Sequence, residues 1–555
     1  MPKPTATPSF PENAEPKRRD IIAAQKIIAD ISSGVYRSPA AAIKELIANA
    51  YDADATRITI STDPPHLRTF TITDDGSGMT ISDFLDVMAH IGGSRKRKEG
   101  DLSPIFKRKL IGRIGIGLLS VAQLGTRFYL SSKKRGENTR FLAEVNLEPF
   151  HKDETALLSM VAKEGADDGQ VMIGAIQYVD NIPDDPENHF TVITVPDAKK
   201  GLQSEITGLV RRSVGATELL NLKRDGVVSF EQIAEITSAA KRADLVLDNY
   251  YFMLWELGLL CPVDYLPGGP FRPDVRAIEN LDMLALPKPT AFNIYVNGSP
   301  LYRPQLFPGP TSVGYSSPDP KIYPLKYTAL IANRQLRLSG YVYCQQPNIT
   351  PEEVKGVHIR IRDVGIGMYD RTWLGYPFDE GLKFGQISGE IFVEEGLESA
   401  LNIDRDSFRE TDVHYQALKA YVWTVLRKTV FPDFKTRQRD FRKAKQRVVT
   451  AEEDQAFEDA ILELPAPAGS ASANRPSGES LLHLIRSGED TVSAPVSPDS
   501  SIPDWKAIVA SLNLSSEAEI RFERVLRVLV SSELFVGIVK DDLESVLLAL
   551  AIAVR

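Results

Sequence analysis

Residues 41–60, AAIKELIANAYDADATRITI, run a helical pattern into a strand pattern, and the polar residues inside the helix decide how both are read. Glu45, Asn49 and Asp52 stand at i, i+4 and i+7. At about 100° per residue they share one face, while Ile43, Leu46, Ile47 and Ala50 lie on others. On an isolated helix such a stripe is most simply a solvated face. The residues that follow point to a different use.

TRITIST (56–62) and RTFTITDDGSGM (68–79) alternate like strands, and the second breaks at Asp74, Gly76 and Gly78. A carboxylate at a strand end beside glycines can accept a hydrogen bond from an exocyclic amine while the backbone lets a flat ligand approach. Taken alone, the same residues make an ordinary turn. Further on, in IGGSRKRKEGDLSPIFKRKLIGRIGIGLLSVAQLG (91–125), Gly112, Gly115 and Gly117 precede an apolar helix, an arrangement that offers backbone N–H groups to phosphate. The Lys- and Arg-rich interval from Gly93 to Gly112 reads as a mobile segment over that site. Upstream, DIIAAQKIIADISSGV (20–35) has helical periodicity, and Ser38 before Pro39 makes an N-cap and first-turn pair for the striped helix.

At 555 residues the chain predicts three or four domains, and 43% hydrophobic with 25% charged residues is a globular composition. No apolar run approaches the roughly 20 residues of a membrane span, and the first residues lack the apolar core of a signal peptide. The expectation is a cytoplasmic protein with no membrane partner. Two cysteines, Cys261 and Cys344, are too few for a disulfide framework or a cysteine metal site. A net charge of -9 argues against nucleic acid coating the whole surface and leaves room for a local basic patch.

In order, the chain carries a helix with Glu and Asn, a strand ending in Asp-x-Gly-x-Gly, a basic segment and Gly-x-x-Gly-x-Gly. It resembles the Bergerat nucleotide-binding fold of the gyrase, heat-shock chaperone, histidine kinase and MutL superfamily (GHKL). The resemblance implies ATP and Mg2+ as ligands. It makes Asn49 the magnesium ligand, Glu45 the general base that activates water, and Asp52 a support of that network. Asp74 then reads the adenine amine with Gly78 and Met79 against the base, and Gly112, Gly115 and Gly117 form the phosphate loop and lid hinge. Thr191 in HFTVITVPD resembles the family's strand-borne threonine near adenine, with Phe190 where a glycine is usual. A histidine kinase fits poorly, because no separate phosphoacceptor-histidine helix is visible. The loop GRIGIGLLS and the lid residues IGGSRK look closest to the heat-shock-protein-90-like and MORC-like branch.

EIFVEEGLESALNIDRDSFRE (390–410) resembles the chaperone middle domain, where a Leu-Asn-x-x-Arg turn brings an arginine to the terminal phosphate. The matching residue is Arg405, with Arg409 as the second candidate, and such a guanidinium stabilises charge on the transferring phosphoryl group. RDVGIGMYD (362–370) repeats the adenine motif, but neither a Glu-x-x-x-Asn helix precedes it nor a phosphate loop follows. It reads as a turn.

The fold class expected is α+β multidomain: a Bergerat-fold α/β sandwich over 1–202, a helical bridge over 203–285, and a second α/β transducer domain over 286–434. A basic helix over 435–463, a flexible Pro/Ser/Ala/Gly-rich linker over 464–503 and a helical interaction or dimerisation segment over 504–555 complete it. Near 290 an Asn-Gly turn marks a hairpin assigned to the second domain. The function expected is a slow, partner-stimulated ATPase that dimerises on binding ATP and works as a nucleotide-gated clamp or chaperone-like machine. The alternative is a DNA clamp of MORC or MutL type, favoured by the basic lid and the 435–447 run. Between a protein client and double-stranded DNA the sequence does not decide.

Overall fold

The computed structural model describes residues 7–24, 39–63, 68–89, 102–111, 117–148, 170–199, 229–239, 249–287, 292–309, 317–402 and 406–462, with Phe522 and Leu526. By its internal contacts the chain divides into a unit of Met1–Phe434 and one of Lys435–Arg555. The first unit holds two sheets; the core of the first extends onto one face of the second, through Tyr341 and Tyr343, and a further core lies on the second sheet's other face.

Among the described residues the first sheet contains β1 (Lys17–Ala24), β2 (Arg57–Thr62), β3 (Phe70–Asp74), β4 (Arg127–Lys133), β5 (Thr139–Asn146), β6 (Gln170–Pro183) and β7 (Phe190–Val195). A hairpin of β8 (Asn293–Val296) and β9 (Ser299–Pro300) completes it. Their order is β1-β6-β5-β4-β7-β3-β2-β8-β9. Neighbours are antiparallel except β2 and β8. Ile58 and Ile60 of β2 and Phe70 and Ile72 of β3 face the core, the period of two expected of a half-buried sheet.

Helix α1 (Pro39–Asp52) lies on this sheet and is the hub of the unit. Only Pro39 and Asn49 of its residues are not fully buried. α2 (Ile81–Ala89) and the short α3 (Val121–Leu124) pack nearby, followed in the chain by α4 (Phe230–Ala239) and α5 (Asn249–Leu260), which rests on α1. Tyr251, Met253, Trp255 and Leu257 of α5 are core residues, so that aromatic run is packing, as its all-round hydrophobicity predicts.

The second sheet has the order β10-β11-β14-β12-β13, with β10 (Lys321–Ile331), β11 (Arg334–Cys344), β12 (Gly356–Ile361), β13 (Val364–Asp370) and β14 (Ile387–Glu395). α6 (Val413–Val425) covers it, capped at its start by Asp412, which accepts from the N–H groups of His414 and Tyr415. Five residues of π-helix, Leu426–Val430, join α6 to α7 (Phe431–Leu462).

Two expectations are corrected. Residues 20–24 belong to β1, not to a helix: Ile21 is buried while Ile22 is 47% exposed, and the strand pairs antiparallel with β6. Edge pairing overrides the helical periodicity of that stretch. The hairpin near 290 joins the first sheet, not the second. Arg57–Ile60 of β2 pair with Asn293–Val296, and the Asn297 side chain accepts from the Thr62 N–H and donates to the Thr62 hydroxyl, each at 2.9 Å. RDVGIGMYD is the β12–β13 hairpin, with Arg362 and Asp363 at positive φ in its two-residue turn.

Candidate nucleotide site

The polar stripe of α1 is not a solvated face. Glu45 is 3% and Asp52 5% exposed, while Asn49 is partly open. Desolvating carboxylates is costly, so this face must be organised around polar partners. Asp52 accepts from the Ile111 N–H at 2.6 Å, which brings the end of the basic segment to the helix. Beside Asn49 the backbone of Gly117 passes so closely that a Cβ there would stand 3.0 Å from both its amide nitrogen and its amide oxygen. Gly117 opens the turn that leads into α3, and the Ser120 hydroxyl ties that turn to α1 through the Ala42 carbonyl at 3.0 Å.

At the C-terminal end of β3 the chain folds back on α1. The Ser77 N–H donates to the Ala53 carbonyl at 2.7 Å, and a Cβ on Gly76 would lie 2.8 Å from the Asp74 carboxylate and 2.9 Å from that carbonyl. Gly78 has φ +62°, and its Cα faces the Lys133 carbonyl so closely that a Cβ would stand only 1.9 Å away. Asp74 therefore ends in a tight cradle, 8% exposed, accepting from the Gly76 N–H at 2.9 Å. Burial pushes its carboxyl up to about 7, although the Gly76 hydrogen bond opposes the shift. A carboxyl so raised would be ionised by a ligand amine that donates to it.

Thr191 of β7 is in register with Asp74, and its hydroxyl lies 3.0 Å from that of Ser132 on β4. Ser132 also donates to the Phe190 carbonyl and accepts from the Met79 N–H. Ser132 was missed by sequence reasoning because no motif contains it; only the β4–β7 register sets it beside Thr191. Met79 packs against the core through its side chain.

The segment expected to be mobile is held in its described half. Asp54 accepts from the Ser103 hydroxyl and from the Ile105 and Phe106 N–H groups. Arg108 lies 4.7 Å over the Tyr51 ring and donates to the Ala55 carbonyl at 2.5 Å. Residues 102–111 are thus anchored to the end of α1 by side chains that look like lid charge in the sequence. Gly112, Gly115 and Arg405 lie outside the described residues. Arg409 spends its guanidinium on the Ser399 carbonyl.

Whether these residues suit magnesium follows from the donors. Among the described residues no group of three or more His, Cys, Asp or Glu could hold a metal ion. Asn49 offers a single neutral oxygen. That suits an ion retaining most of its waters and otherwise bound by nucleotide phosphates, as magnesium is.

Residues 36–172, which hold most of these features, match the family model described as histidine kinase-, DNA gyrase B- and HSP90-like ATPase. These residues are thus similar to the ATPase domains of the GHKL superfamily. More particularly, the chain is similar to DNA mismatch repair protein MutL: 32% identical over 136 residues to that of Streptococcus mutans, covering 24% of this chain and 20% of the relative. It is 36% identical over 115 residues to that of Bradyrhizobium diazoefficiens (20% and 18%). With that of Afipia carboxidovorans the identity is 41% over 102 residues (18% and 16%). The chain spans about a fifth of the length of the curated relatives it matches. These relatives are mismatch-repair proteins, which turns the comparison away from the chaperone-like branch expected from the loop residues.

Proposed function

We propose that this protein binds ATP with magnesium in the site between α1 and the ends of β3 and β7, hydrolyses it, and works as an ATP-gated DNA clamp of the MutL type. The observation that carries the reading is the alignment of buried Glu45 and Asp52 with partly open Asn49 along one face of α1, against the turn at Gly117 and beside the Asp74 cradle. Asp74 and Thr191 bind the adenine edge, with Met79 alongside. Gly112, Gly115 and Gly117 receive the phosphates on backbone N–H groups, and Asn49 holds the magnesium. That ion, when bound, neutralises phosphate charge. Glu45 takes the proton from the attacking water and Asp52 keeps the stripe and the basic segment together. Arg405 is the candidate guanidinium for the terminal phosphate, in which role it would stabilise charge on the transferring phosphoryl group.

Two observations favour DNA over a protein client. The similar proteins act, by their names, in DNA mismatch repair. On α7, Lys435, Arg439, Arg442 and Lys443 fall on one helical face and all are exposed, a stripe suited to a phosphate backbone. ATP-dependent pairing of two copies would close the clamp.

The test is phosphate release from ATP with and without double-stranded DNA, using Glu45→Ala as the blank. DNA should stimulate release, and the stimulation should fade as salt is raised. Hydrolysis indifferent to DNA would remove the clamp from the reading and leave a protein client. Release no greater than the blank would remove the ATPase.

A further inference from the structure

Lys44 occupies the position before the proposed base Glu45 and is 2% exposed. Its ammonium is bound by the carboxylate of Asp406, the residue that follows Arg405 in the chain. The two come from different cores: α1 belongs to the core of the first sheet, whereas Leu401 and Phe408, which flank Asp406, pack on the core of the second.

Everything around Asp406 holds it in place. Leu401 and Phe408 are bridged, the Asn402 N–H donates to the Ser407 carbonyl at 3.0 Å, and the Asn402 amide donates to the Ser407 hydroxyl at 2.8 Å. Below the turn, the Arg409 N–H reaches the Ala400 carbonyl at 2.8 Å, and Phe408 stacks on Tyr415 at 4.8 Å. Gly367 at φ +64° admits the turn, because a Cβ there would stand 2.6 Å from the Asp406 carbonyl. A cavity of about 480 Å³ lined by Ala41, Glu256, Asp406, Phe408 and Tyr415 borders Asp406.

We infer that the Lys44–Asp406 ion pair is a latch that holds Asp406 and the residues after it, which pack on the second sheet, against the catalytic helix; the inference rests on the ATPase reading above. A buried ion pair is a poor source of stability compared with an apolar contact of the same volume, and its attested use is to select one arrangement over others. Here it fixes Asp406, the residue after Arg405 in the sequence, against Lys44, the residue before Glu45. Lys44 and Asp406 act as positioning residues, without contact to the reacting atoms.

The experiment compares Lys44→Met, Asp406→Asn and the reversed pair Lys44→Asp with Asp406→Lys in the full chain. Hydrogen exchange in the 400–409 peptide is read first, without nucleotide. It should accelerate at least tenfold in each single variant and slow again in the reversed pair. Fluorescent ADP should bind both single variants within about twofold of wild type, while phosphate release at saturating ATP falls at least tenfold with KM little changed. Unaltered exchange in 400–409 in both single variants would overturn the latch, whatever the activity. Equal losses of ADP affinity and turnover, with no recovery in the reversed pair, would overturn it too by making the pair a general packing element. If wild type releases no more phosphate than Glu45→Ala, the ATPase reading fails while the exchange data still decide the latch.

Discussion

Asp74 offers a sharp test of the adenine site, because its ionisation and the proposed hydrogen bond are linked. Burial raises its carboxyl to about 7, so without nucleotide the group is half protonated at neutral pH. An exocyclic amine donates far more strongly to the ionised carboxylate than to the neutral carboxyl, so tight binding carries the cost of removing the proton. About one-tenth of the molecules are ionised at pH 6 and about nine-tenths at pH 8, so affinity should rise about tenfold across that range, about 1.4 kcal/mol. The Asp74→Asn variant keeps an oxygen for the Gly76 N–H but does not titrate, so it should bind weakly at both values and lose this slope. Calorimetry with ADP at pH 6 and 8 on both proteins isolates the effect, since phosphate titration is common to the two. The same shift carries a stability sign. A carboxyl raised in the folded state contributes stability that is complete below its unfolded value near 3.8 and is lost as pH rises to about 7. Nucleotide-free wild type should therefore lose melting temperature relative to Asp74→Asn between pH 4 and pH 7. Affinity that is flat, or that falls with pH in wild type relative to the variant, would refute the assignment of an ionised Asp74 to the amine.

Asn49→Ala should abolish the magnesium dependence of ATP binding; full Mg-ATP affinity by calorimetry in that variant would remove Asn49 as the ligand. Gly78→Ala sets a side chain against the Lys133 carbonyl at positive φ and should destabilise the first unit by at least about 1–3 kcal/mol, read as a shifted melting transition. Glu390 is fully buried and bonded to Arg360 at 2.7 Å, Tyr265 at 2.6 Å and Tyr341 at 2.7 Å. Glu390→Gln leaves Arg360 without its charge partner, and a loss of about 3–5 kcal/mol in denaturant titration is expected. Around the same cluster, burial depresses His358 to about 3, and Arg360 and Arg303 overcome burial to hold Glu390 at about 2. Both are depressed in the folded state, so the stability they contribute is present above their unfolded values and is lost on acidification, from about pH 6.5 downward. Wild type that loses no unfolding free energy relative to a His358→Gln variant from pH 7 to pH 4 would contradict that sign.

Much of the site is legible in the chain because its residues are local. Glu45, Asn49 and Asp52 lie within eight positions on one helix, and helical geometry alone aligns them. The strand-ending Asp74 and the glycines of its turn are legible for the same reason, since positive φ at Gly78 and the close approach at Gly76 demand those residue types. Ser132 was invisible because its role depends on the β4–β7 register, and a serine within a strand carries no signal of its own. The misreading of residues 20–24 has a similar cause. Two isoleucines and two alanines suit a helix until β6 supplies a partner.

By itself the sequence determined the resemblance to the GHKL ATPases and which groups of the candidate site share a face, because short-range spacing sets that alignment. Only the tertiary structure decided where the charges go. It sends Arg108 to the ring of Tyr51 and the Ala55 carbonyl, Asp54 to the backbone of residues 105 and 106, and Lys44 to Asp406, 362 positions away. A lysine or aspartate has the same propensity on a wet surface as in a buried pair, so the difference appears only when folding removes the water around it.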